Sequence, residues 1–123
     1  MKKILLTIAF LLMACNNSEN LKAGTYKMVN SPNNVPITLS FADDGSLNAK
    51  VVNIIMGNYE IKGGALTITL GGATMMMGPQ KEMEAEQTFV QMLSNVKSYK
   101  MKDNRLELMS KDGNILLFDE HKQ

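Results

Sequence analysis

Between Val51 and Met77 the chain reads VVNIIMGNYEIKGGALTITLGGATMMM, and no other stretch restricts the fold so strongly. Apolar and polar residues alternate at the two-residue period of a half-buried strand, whose successive side chains point to opposite faces of a sheet. Ile54–Ile61 reads as one strand, interrupted at Gly57, where a bulge or a close backbone approach is expected. Gly63-Gly64 reads as a turn, because glycine takes positive φ without a Cβ clash. Ala65–Leu70 alternates again, and Gly71-Gly72 is expected to turn the chain into a last strand, Ala73–Met77.

The flanks repeat this pattern. Thr25–Val29, Ile37–Phe41 and Leu47–Val52 read as strands, the last two as a hairpin about Asp43-Asp44-Gly45, and Ser31–Asn34 reads as a loop. The period then changes to three or four residues over Pro79–Asn95, with Ala85, Phe89, Met92/Leu93 and Val96 as the apolar stripe of a helix. Ser98–Lys102, Arg105–Met109 and Ile115–Phe118 complete the strands, turned at Asp103-Asn104 and Lys111–Asn114, and Asp119–Gln123 is expected to fray. The predicted class is α+β, mostly β: a curved antiparallel sheet or incomplete barrel of about eight strands with one packed helix over its open side.

The N-terminus reads as a targeting segment. Lys2 and Lys3 precede the apolar run Ile4–Leu12, which is too short to span a hydrocarbon core of about 30 Å. Leu12-Met13-Ala14-Cys15 resembles the lipobox of bacterial lipoproteins, which implies cleavage before Cys15 and a diacylglyceryl anchor, with its fatty-acyl chains, on that cysteine. The predicted division is residues 1–14 as signal peptide, 15–23 as lipidated tether, 24–119 as the domain and 120–123 as a polar tail. The expected location is the bacterial cell envelope, lipid-anchored at the outer membrane, with the membrane as partner through Cys15.

Removal of 14 residues leaves 109 of the 123, and loss of Lys2 and Lys3 takes Lys+Arg from 13 to 11 against 12 acids. A surface so near neutrality does not suit nucleic acid, whose affinity comes largely from neutralised phosphates. With Cys15 lipidated no thiol remains for a disulfide, so the fold must rest on its core, and about 109 residues can bury one.

Candidate chemistry is sparse. The single histidine, His121, falls in the charged tail, where a general base has nothing to hold it. Glu82, Glu84 and Glu86 cluster early in the helix, where negative charge complements the helix dipole, and read as a solvated face. The glycine pairs lack the lysine and following helix of a phosphate loop. The eleven methionines invite two readings. Thioethers are soft ligands for Cu(I), and Met75 and Met77 would share one strand face. Methionine is also an adaptable core filler, and that reading is preferred because no histidine or thiolate stands nearby to complete a metal site. No enzyme activity, cofactor or metal is expected.

Val51–Tyr59 resembles the Gly-Cys-Asn-x-Phe-x-Gly-x-Tyr motif of the META domain found in HslJ-like bacterial lipoproteins: Asn53, Gly57 and Tyr59 match, and Ile55 stands in for the aromatic. Thr74 and Met76 match a later Thr-x-Met-x-Cys segment; Glu86, Phe89 and Leu93 match its helix; Gly24-Thr25-Tyr26 is similar to its Gly-Thr-Trp start. The resemblance implies a structural role for these residues and a small envelope protein, some relatives being tied to heat shock, antibiotic tolerance or virulence. Val51 replaces the motif glycine, and Val52 and Gly78 occupy the places of both family cysteines, so packing must replace any link between them. The expected function is non-enzymatic, through an envelope protein partner. A lipocalin-like module for a small apolar ligand and a peptidase inhibitor presenting Ser31–Val35 or Gly71–Gly72 are the alternatives.

Overall fold

The structure, a computed structural model, describes residues 19–121. The predicted signal peptide, Cys15 and residues 16–18, 122 and 123 lie outside it. Eight antiparallel strands follow one another around a closed barrel: β1 (Gly24–Met28), β2 (Thr38–Phe41), β3 (Ser46–Lys50), β4 (Ile54–Lys62), β5 (Ala65–Ala73), β6 (Val96–Lys102), β7 (Arg105–Ser110) and β8 (Ile115–Glu120). Among the described residues one α-helix, α1 (Gln80–Ser94), lies between β5 and β6.

The up-and-down order sorts the connections onto two ends. The β2–β3, β4–β5 and β6–β7 turns share the lower end with Gly24 and Glu120. The β1–β2, β3–β4 and β7–β8 connections share the upper end with α1. There α1 crosses all three: Asn33 Nδ2 donates to the Lys81 carbonyl, Glu86 accepts from Val52 and Asn53, and Lys111 N–H donates to the Asn95 carbonyl. The barrel joins most thinly at β5–β6, where only Ala65 and Ser98 are in register. The helix that follows β5 also packs on that strand.

The alternation read from sequence fills the interior. Tyr26, Leu39, Phe41, Ala49, Ile55, Leu66, Leu106, Leu108, Leu116 and Phe118 are buried, and Ala85, Phe89 and Leu93 bring the apolar stripe of α1 onto the same core. Val96, the last member of the predicted stripe, is instead the first residue of β6. Pro79 precedes the helix at the N-cap, where its missing N–H costs nothing, and its carbonyl accepts from Met83 N–H. Tyr26, Phe41 and Tyr59 stack edge-to-face in series, with ring centroids 6.0 and 5.0 Å apart.

Three expectations fail for reasons visible in the register. Gly71-Gly72 does not turn the chain. Gly57 pairs with Leu70 and Met56 with Gly72, so Gly71 is an extra residue, a bulge that lets β5 run on to Ala73. The predicted strand Ala73–Met77 is absent; beyond Ala73 the backbone is irregular. The tail does not fray at Asp119: β8 continues to Glu120, Asp119 forms a two-point ion pair with Arg105, and His121 N–H donates to the Thr25 carbonyl.

Glu19–Ala23, read as tether, includes residues laid on the barrel. Glu19 bridges Met101, Leu21 N–H donates to the Tyr99 hydroxyl, and the Lys22 carbonyl accepts from the buried Tyr26 hydroxyl at 2.6 Å.

Candidate functional site

The segment after β5 is positioned by one buried side chain. Asn53 is 4% exposed and turns its carboxamide towards Thr74–Met76. Its Oδ1 accepts from Met76 N–H at 2.5 Å and from the Thr74 hydroxyl at 2.9 Å, and its Nδ2 donates to the Met76 carbonyl at 3.2 Å. Thr74 Oγ1 in turn accepts from Ile54 N–H. The carboxamide thus offers Met76 a donor and an acceptor as a neighbouring strand would, satisfying backbone groups that the ladder no longer reaches.

Glu86 holds Asn53 in that orientation. Oε1 accepts from Val52 N–H at 3.0 Å and Asn53 N–H at 2.7 Å, while Oε2 accepts from Asn53 Nδ2 at 2.8 Å. Hydrogen bonds to an ionised acceptor are the stronger kind, and this carboxylate collects three. Glu82 and Glu84 fit the predicted helix-start role, with Glu84 accepting from Gln80. Glu86 departs from it: half-buried, it reaches across to the β3–β4 connection.

The clamp leaves the methionines outside. Met75 is 93% exposed, Met77 89% and Met76 54%, and Ile54 and Met56 on β4 are exposed too. The expectation that these methionines pack is therefore wrong for Met56, Met75, Met76 and Met77, and right for Met28 and Met101, which are buried. The result is an apolar, uncharged rim on the upper end, carried on a backbone fixed by Asn53.

Gly57 and Tyr59 act lower on β4. A Cβ at Gly57 would overlap the Thr69 carbonyl oxygen and sit 3.0 Å from the Leu70 Cα, which explains the glycine opposite the bulge. Tyr59 donates its hydroxyl to the Ala42 carbonyl at 2.5 Å, tying β4 to the β2–β3 turn. Burial raises its pKa above the ordinary phenol value, helped by the Asp43 and Asp44 charges. Phe89 and Leu93 are fully buried on α1. Asn53, Thr74, Met76 and Glu86 thus meet at one place, whereas Gly57, Tyr59, Phe89 and Leu93 serve the barrel wall and core.

The META domain family model matches residues 19–123. The chain belongs to the META domain family. Its fold is shared by a protein from Burkholderia xenovorans solved by NMR, at 20% identity over 84% of this chain and 85% of that one, with a TM-score of 0.68. A DUF4847-family protein from Bacteroides vulgatus is also similar, at 16% identity over 82% and 94% of the two chains, with a TM-score of 0.63. No curated protein matches the chain.

The META family's cysteine positions lie side by side in this member. A Cβ built at Gly78 would stand 3.7 Å from the Val52 Cβ and 3.0 Å from its Cγ1. Disulfides hold their Cβ atoms about 3.5–4.5 Å apart, so the Cβ separation of positions 52 and 78 is one a disulfide spans. Here the valine methyls fill the space and pin the methionine segment by packing.

Two alternatives lose their footing. A lipocalin-like site needs an apolar lumen, and this barrel's interior is occupied by its own side chains, with Phe89 and Leu93 over the end. Of the loops suited to a peptidase inhibitor, Gly71–Gly72 lies within β5, and Ser31–Val35 folds into a 3-10 turn at Pro32–Asn34 against α1, with Val35 buried. Among the described residues no helix is long and apolar enough to cross a membrane.

Proposed function

We propose that this META-domain protein is a lipid-anchored component of the bacterial cell envelope that works by binding a protein partner, without catalysis, in support of the envelope under stress. The observation that carries the reading is the exposure of Ile54, Met56 and Met75–Met77 at the upper end, since exposed large apolar side chains held on rigid backbone are what a protein interaction site offers. The lipobox-like residues before Cys15 supply the anchor.

The two features belong to opposite ends. Glu19 lies beside the β6–β7 turn, where its carboxylate accepts from Asp103 N–H, and the rim lies beyond the upper end of β5. Four residues from Cys15 to Glu19 reach at most about 13–14 Å. An anchor on Cys15 therefore draws the lower end to the bilayer and leaves the rim facing the aqueous side, where a partner arrives. We place the anchor in the outer membrane.

Crosslinking in intact cells, followed by purification of the lipidated chain, tests the reading. A specific partner is expected with the parent chain and lost with Met75→Glu/Met77→Glu. Recovery of the domain alone under several crosslinkers sinks it. Cys15→Ser is expected to move the protein from the outer-membrane fraction to the soluble one, and unchanged membrane recovery contradicts the anchor.

A further inference from the structure

Met75 and Met77 stand apart from the buried methionines. A side chain 93% or 89% exposed gains almost none of the stabilisation that burial gives, so packing does not account for this pair. Their disposition is fixed by the residue between them. Met76 engages Asn53 with both its N–H and its C=O, which requires both groups to point the same way, as they do in an extended residue. Met75 and Met77 consequently leave the backbone on one side and Met76 on the other.

Alternate residues of an extended chain are about 6.5–7 Å apart. Each methionine side chain has three rotatable bonds, so two sulfurs at that spacing can close on one ion. Met56 stands apart from this pair: it is in register with Gly72, three residues before Met75. A thioether carries no proton and no charge, is soft, and selects Cu(I) over hard cations. Among the described residues no group of three or more His, Cys, Asp or Glu offers a harder ligand set.

We propose that Met75 and Met77 bind a soft monovalent ion of the Cu(I) class. Binding is coordinative: sulfur lone pairs replace the ion's solvent ligands, and no bond in the protein is made or broken. The site does not depend on the partner-binding reading, since the ion needs only the thioethers and the clamped backbone.

The test uses the full chain with Cys15→Ser, so that no thiol competes, and with 13C-labelled methionine methyls. Ag(I), a redox-inert analogue, is titrated first, then Cu(I) without oxygen against a chromophoric Cu(I) chelator. The methyl signals of Met75 and Met77 are expected to shift and saturate at about one ion per chain, with Met28, Met56 and Met101 unmoved. Met75→Leu/Met77→Leu should weaken binding about tenfold or more without changing the melting temperature, since neither side chain is buried. Zn(II) should leave the spectrum unchanged. No saturable shift, equal affinity in the double variant, or shifts spread evenly over Met83, Met92 and Met109 overturns the proposal.

Discussion

The carboxamide of Asn53 pairs with both backbone groups of Met76 and takes the place of the strand that the ladder lacks there. The arrangement accounts for a segment that is irregular in conformation yet fixed in place. Its cost is a buried polar side chain, which is tolerable because each of its hydrogen-bonding atoms has a partner.

Gly57→Ala tests the bulge. The new methyl overlaps the Thr69 carbonyl, a backbone atom that cannot rotate away, so β4 and β5 must separate locally. The expected loss is about 1–3 kcal/mol of unfolding free energy, measured by urea denaturation. A stability equal to the parent's would show that the strands part without strain.

Much of this is legible in the sequence, and the rest is hidden for identifiable reasons. Glycine 57 marks its bulge because it interrupts an alternating run, and Ala85, Phe89 and Leu93 mark the helix by their spacing. Gly71-Gly72 misleads, since a glycine pair after a strand signals a turn and a bulge alike. The exposure of Met75–Met77 rests on a side chain over twenty residues away, which no local pattern announces. Glu86 looks like any acid early in a helix until the β3–β4 connection is seen against it. Asp119 looks like the start of a polar tail because its partner, Arg105, lies across a hairpin.

Val52→Cys/Gly78→Cys tests the packing that replaces the family's cysteine pair. With the valine methyls gone, the two Cβ atoms stand at bonding distance, and the bond should form on air oxidation with Cys15 replaced by Ser. Closing a loop of about 26 residues is expected to add about 3 kcal/mol against the reduced form. Failure to oxidise, seen as two free thiols by mass spectrometry after alkylation, would contradict the geometry.

Alkaline pH should destabilise the barrel through Tyr26. Burial, aided by the Glu120 charge, pushes its pKa from 10.0 up to about 12. The unfolded chain therefore loses this proton first, and the stability held below pH 10 declines as pH rises towards 12. Urea midpoints should fall across that window, and Tyr26→Phe should flatten the fall while lowering stability at neutral pH through loss of the bond to the Lys22 carbonyl. A pH profile identical to the parent's would remove Tyr26 as the cause.

The Asn53–Glu86 clamp is read most directly by amide hydrogen exchange at Met76. In the parent chain Met76 N–H should exchange slowly although its side chain is half exposed, and Asn53→Ala and Glu86→Ala should each accelerate it while the Leu108 amide in the barrel wall stays protected. Removing the Glu86 carboxylate strands donors in part-buried surroundings, so a loss of about 1–3 kcal/mol should accompany the change. A Met76 amide that exchanges at the free-peptide rate in the parent, or that stays protected in both variants, would contradict the account.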